Sequence, residues 1–151
     1  MASVYLKRTL TGLVAADEPS AGLLRKYKVG GVYRADIVRP RSYKHLCLVM
    51  ALLTVTYENL PEKYARSYAS FDQFRYAVAE AAGHSESYIS LEGEIRTMPK
   101  SISYDAIPDD VEFGKVAAAM MTVCARILEM SEPELAAEVA RYADAHYGVA
   151  A

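Results

Sequence analysis

The sequence has no tryptophan, three phenylalanines, three histidines and two cysteines. Cys47 and Cys124 both sit inside apolar stretches. That excludes a disulfide-built scaffold and fits a reducing compartment. Long apolar runs are also missing: the longest, residues 46–55, has ten residues, where a membrane-spanning helix needs about 20. The opening Met1-Ala2-Ser3-Val4-Tyr5 alternates like a strand and lacks the apolar centre of a signal peptide. No repeat, low-complexity tract or long linker interrupts the chain. The expectation is a soluble cytoplasmic protein with no membrane association.

Several chemistries lack their residues. His45, His84 and His146 stand alone, and no set of Cys, His or carboxylates has zinc or EF-hand spacing, so no metal and no cofactor is expected. There is no Gly-x-Ser-x-Gly elbow. Gly30-Gly31 lacks the Lys-Ser/Thr ending of a phosphate loop. His84-Ser85-Glu86 holds the residue types of a triad, but triad members meet through the fold, so a polar loop is the expected state. Glu92 and Glu94 could form a nuclease-like carboxylate pair, although across a hairpin tip carboxylates are usually just solvated. No catalytic residue is assigned.

What is present is ordinary in bulk: 151 residues, 52% hydrophobic and 24% charged, enough for one self-supporting core. The net charge of −2 hides a gradient: residues 1–50 carry +6, residues 51–100 carry −2 and residues 101–151 carry −6. A basic start with an acidic end implies either an anion-binding face or mutual neutralisation of the two regions.

Periodicity gives the elements. A hairpin or a bent strand is expected around Thr11-Gly12, a short helix over 21–28 ended by Gly30-Gly31, and a strand over 32–38 with Tyr33, Ala35 and Ile37 facing the core. Ser42 caps a helix over 43–59 that is apolar nearly all round. Residues 60–69 read as a loop. Ser70 and Gln73 form a capping box for a helix over 71–82, with Phe71, Phe74, Val78 and Ala81 on one stripe, stopped by Gly83. Residues 88–91 and 95–98 flank a hairpin turn. Pro108-Asp109-Asp110 opens a long helix to about Met130, and Ser131 with Glu134 caps a last one ending near Tyr147-Gly148. The expected fold class is α+β: a small antiparallel sheet packed against a helical bundle with a long central buried helix. It forms one domain, 1–151, with 131–148 an acidic C-terminal helix. Tyr57, Tyr76 and Tyr142 have core spacing.

Two clusters stand out as binding candidates. Arg39, Arg41, Ser42, Tyr43, Lys44 and His45 surround a helix N-terminus. The dipole there disfavours cations, so either a docked phosphate or a salt bridge to the acidic last third would resolve the conflict. In the second cluster Arg96, Lys100, Ser101 and Ser103 could touch a phosphodiester backbone, and Tyr43 or Tyr104 could stack on bases. Ser103 fits an ST-type cap equally well.

Three blocks of the chain resemble a known family. They are residues 37–53, with Arg39-Pro40-Arg41-Ser42 entering the long helix; the helix from Phe71-Asp72-Gln73-Phe74-Arg75 to Ala82-Gly83; and Pro99-Lys100-Ser101-Ile102-Ser103 followed by Glu112-Phe113. Their order, with Tyr5-Leu6-Lys7-Arg8-Thr9 at the start, is similar to phage NinB-type proteins. These include the lambdoid Orf recombination mediators and related phage proteins of unknown function. The resemblance implies a phage-encoded α+β homodimer, in the cytoplasm of a bacterial host. It would bind single-stranded DNA without catalysis and help load a recombinase past single-strand-binding protein. Leu46, Cys47 and Leu48 depart from the basic and polar residues that this family places at the helix start. With the acidic last helix, that departure supports an alternative: a protein–protein module that binds or inhibits a host protein. Dimerisation could use the alanine-rich faces of the last two helices (Ala117, Ala118, Ala119, Ala125, Ala136, Ala137, Ala140, Ala143), which could equally pack within one chain.

Overall fold

The computed structural model describes residues 3–149, and the chain divides into two compact units, Met1–Ile37 and Val38–Ala151. In the first unit β1 (Leu6–Arg8) pairs antiparallel with β2 (Leu13–Ala15), Leu6 opposite Ala15. The turn is tied by Thr9, whose N–H and hydroxyl both donate to the Gly12 carbonyl, at 2.8 and 2.9 Å. Met1 and Ala2 of the expected opening strand lie outside the described residues, and Ser3, Val4 and Tyr5 carry no strand.

The next helix, α1 (Glu18–Leu24), starts and ends earlier than its expected 21–28 span. Asp17 sets the start by accepting the Ser20 N–H at 2.8 Å, with Pro19 in the first turn. The expected strand over 32–38 does not form. Residues 31–39 have no regular structure, and Tyr33, Ala35 and Ile37 are exposed. Alternation makes a strand only where a neighbour supplies a ladder, and among the described residues the four strands are used up in two separate pairs.

The second unit is a helical bundle carrying a hairpin, so the fold is α+β with two small two-stranded sheets instead of the single sheet expected. Its helices are α2 (Tyr43–Glu58), the one-turn α3 (Glu62–Ala65), α4 (Phe71–Ala81), α5 (Asp110–Leu128) and α6 (Glu132–Tyr147). The turn of α3 lies inside the expected loop, where Pro61 fixes its start and the Tyr64 and Ala65 N–H groups bond the Pro61 carbonyl. Helix α2 is the buried centre: Val49, Leu52 and Leu53 meet Phe74 and Val78 of α4, Phe113, Met120 and Cys124 of α5, and Leu135 and Val139 of α6. Each large apolar side chain buried in this way contributes about 1.5–3 kcal/mol.

The caps fit the sequence closely. Ser42, Ser70 and Ser131 each accept the N–H three residues on. Ser131 and Glu134 complete a reciprocal box. Gln73 reaches back one residue further than expected, to the Ala69 N–H. Helix α5 ends at Leu128 with Glu129 in the left-handed region, φ 55°. On α4 the expected stripe of Phe71, Phe74 and Val78 faces the core, but Ala81 is exposed and Ala79 is buried beside Val78. Tyr57 and Tyr142 pack against the core, whereas Tyr76 is exposed. Of the alanine faces, Ala125 and Ala143 are in the core of the single chain, while Ala118, Ala136 and Ala137 are exposed.

The hairpin is β3 (Ser85–Ile89) with β4 (Ile95–Pro99), in register from Ser85 opposite Pro99 to Ile89 opposite Ile95. It starts three residues before the expected strand, so His84-Ser85-Glu86 leads into a ladder and is not a loop. The first bond beyond the register joins the Lys100 N–H to the His84 carbonyl at 3.0 Å. No helix of the described residues is long and apolar enough to cross a membrane.

Candidate functional site

The first basic cluster lies where two helix N-termini meet. Asp109 caps α5: one carboxylate oxygen accepts the Val111 and Glu112 N–H groups at 2.8 and 3.0 Å. Its other oxygen accepts the Arg39 N–H at 3.3 Å, and the Arg39 carbonyl accepts the Asp110 N–H at 3.0 Å. One Asp110 oxygen accepts the Ser42 N–H at 3.2 Å and stands 3.4 Å from His45 Nδ1. An anion therefore does sit at the N-terminus of α2, and it is the protein's own carboxylate. Hydrogen bonding holds both carboxyls below their ordinary range, led by the Glu112 N–H for Asp109 and by the Ser42 N–H for Asp110. The acidic last third answers this helix N-terminus through backbone N–H groups and His45, while among the described residues Arg39 and Lys44 form no ion pair with it.

Arg41 is not on the surface. It is 8% exposed, its guanidinium lies 3.6 Å over the Phe113 ring, and Nη1 donates to the Ile107 carbonyl at 3.2 Å. Nη2 is buried without a partner. Desolvation pushes the guanidinium below its ordinary value, opposed by Asp110 and Tyr104. His45 also meets Phe113 edge-on, with ring centroids 4.9 Å apart. Arg41, Ser42 and His45 are thus joints of the fold. Tyr43 is 73% exposed, and Lys44 is exposed beside it. The Tyr43 phenol is raised, chiefly by its hydrogen bond with Cys47.

The second cluster divides in the same way. Arg96 pairs with Glu94 at 3.1 Å and with Glu92 at 3.7 Å, so the two glutamates converge on a cation. The Ser101 hydroxyl accepts the Ser103 N–H at 3.1 Å, and the Ser103 hydroxyl accepts the Ala106 N–H at 3.4 Å, which is the ST-type turn. His84 Nε2 donates to the Ser101 carbonyl at 3.0 Å, away from Ser85 and Glu86. Tyr104 is exposed, and Lys100 lines a depression of about 360 Å³ with Asp109 and Glu112. Asp109 is common to both clusters, since it also accepts the Arg39 N–H. Among the described residues Arg39, Lys44 and Lys100 have no ion pair.

Two apolar features lie outside the charged clusters. A groove of about 490 Å³ runs between α2, α5 and α6 over Leu48, Leu52 and Met121, with Ala117, Ala136 and Ala140 on its sides. The other is the hairpin, where Ile89 and Ile95 oppose each other and are 74% and 80% exposed, and Tyr88, Leu91 and Met98 are exposed nearby. The alternation of 88–91 and 95–98 carried that signal, since a two-stranded sheet with apolar residues on it needs a cover that the strands alone cannot supply.

No family model, curated protein or solved structure matches the chain.

Proposed function

We propose that the second unit is a non-catalytic protein-interaction module whose contact surface is the β3–β4 hairpin. The partner chemistry is another polypeptide offering an extended, apolar segment. One observation carries this: Ile89 and Ile95 form an opposed, exposed pair on a sheet of two strands. Such a pair is marginal in water and gains by adding a strand. The loss of Arg41, Ser42 and His45 to internal bonds supports the same choice.

A second reading keeps a specific support. Arg39, Lys44 and Lys100 lack ion pairs among the described residues, and Tyr43 and Tyr104 are exposed. On this reading the chain is a NinB-like recombination accessory that binds single-stranded DNA and works beside single-strand-binding protein.

One experiment separates the two. The protein and an Ile89→Asp/Ile95→Asp variant of unchanged helicity are each immobilised and exposed to nuclease-treated lysate. Both are also titrated with a labelled oligonucleotide over a range of salt. The module reading expects a stoichiometric protein held by the parent and lost by the variant, with weak oligonucleotide binding. Oligonucleotide affinity that falls steeply with salt and ignores the variant overturns it, because that is the mark of phosphate contacts.

A further inference from the structure

Among the described residues the outer edge of β4 has no ladder partner, although α4 also contacts this strand. Within the hairpin, the Lys100 N–H bonds His84 and the Glu94 carbonyl bonds the Ser90 N–H. Even-numbered residues of this strand therefore turn their backbone groups inward, toward β3, and odd-numbered ones turn them outward. The outward set is Ile95, Thr97 and Pro99, of which Pro99 has no N–H. Among the described residues the outward groups of Ile95 and Thr97 have no backbone partner. All of residues 94–98 are exposed.

We infer that the chain self-associates by antiparallel pairing of β4 with β4 of a second copy, centred on Thr97, to make a four-stranded sheet. The inference rests on the hairpin being the contact surface, and it names the partner. The register follows from charge. Centred on Thr97, Glu94 faces Lys100 of the second copy, Ile95 faces Pro99 and Arg96 faces Met98. Because the pairing is two-fold, each contact occurs twice. The Thr97 residues exchange both their bonds, and each Ile95 N–H reaches the opposite Pro99 carbonyl. The missing Pro99 N–H falls at the end of the ladder. Sliding the strands by two residues one way sets Arg96 against Arg96, and the other way sets Arg96 against Lys100. Both alternatives oppose like charges, which destabilises a cross-strand pair. Glu94 can accept the new partner, since Arg96 is bonded to Oε2 alone. On the other face the pairing sets Pro99 of the second copy beside Ile95, so the Ile89–Ile95 pair gains a cross-strand neighbour.

The test is sedimentation of the chain over about 1–500 μM, because an edge contact of this size gives a dissociation constant on the order of tens of micromolar. E94K alone and K100E alone each set like charges against each other in both halves of the pair, and each weakens association about tenfold. Mixing the two variants restores both opposite-charge contacts, and so restores the dimer. Thr97→Pro removes the central donors and leaves a monomer by a different route, should a charge variant fold poorly. A parent that stays monomeric, single variants that dimerise like the parent, or a mixture that stays monomeric each overturn the inference. Should the parent be monomeric while Ile89→Asp/Ile95→Asp still releases a captured protein, self-pairing fails and the module reading stands. If the parent dimerises by the charge rule but captures nothing, the hairpin serves self-association alone.

Discussion

Segments 39–45 and 96–104 look alike as text, since each sets cations beside hydroxyls and an aromatic residue. They end in opposite conditions. The first is answered by carboxylates 65–70 residues away, at the start of α5, and its Arg41 is sealed over an aromatic ring. The second is answered by glutamates two and four residues away on an exposed hairpin. Distance along the chain decides the role. A counter-charge brought from far away converts a basic patch into a joint between helices, whereas a neighbouring one leaves it a solvated surface with weak pairs.

The sharpest way to break this contrast is to cut back the buried cation. Arg41→Ala costs about 2 kcal/mol by urea unfolding, because it strips the face of Phe113 and the bond to the Ile107 carbonyl. Arg41→Met fills the same space without the unpartnered Nη2, and most of that loss returns. Equal losses in the two variants would show that charge, and not packing, holds the joint.

The next effect is on Asp110. Its folded-state carboxyl lies below its ordinary 3.8, so its stabilisation is present above that value and is lost as pH falls through the depressed one. Asp110→Asn lowers the melting temperature by a few degrees at neutral pH, and the gap to the parent closes below pH 3.8. A gap that persists in acid would mean that Asp110 acts by shape alone. The smallest effect belongs to the hairpin: Arg96→Ala changes stability by less than about 0.5 kcal/mol. A larger change would place this arginine in the same class as Arg41.

Local rules were enough for the longer helices of the second unit, though not for the single turn of α3. A serine followed three residues later by Gln or Glu marked the starts of α4 and α6, and the all-round apolar run of 46–53 marked the buried α2, because capping and helical period are set by near neighbours. The expected strand over 32–38 failed because a ladder needs a second strand, which alternation does not report. The candidate site was legible as residue types and not as roles. Arg41 reads as a surface cation until Phe113 and Ile107 are brought beside it, 66 or more positions along. Ser103 was half legible: its hydroxyl does accept the N–H three residues on, but it closes a turn, and the next helix is capped by Asp109. The exposed isoleucines were visible as well, but their lack of cover could be seen only once the sheet was known to stop at two strands.

The link between α5 and α6 is three residues, Glu129, Met130 and Ser131. So short a loop closes at little entropic cost. The packing of α2 on α6 spans more than seventy positions, and closing that span costs more. The helical hairpin is therefore the natural early structure in folding, and α2 joins it afterwards. On that order the clasp between Ser42 and Asp110 closes late, and lesions there should quicken unfolding more than they slow folding.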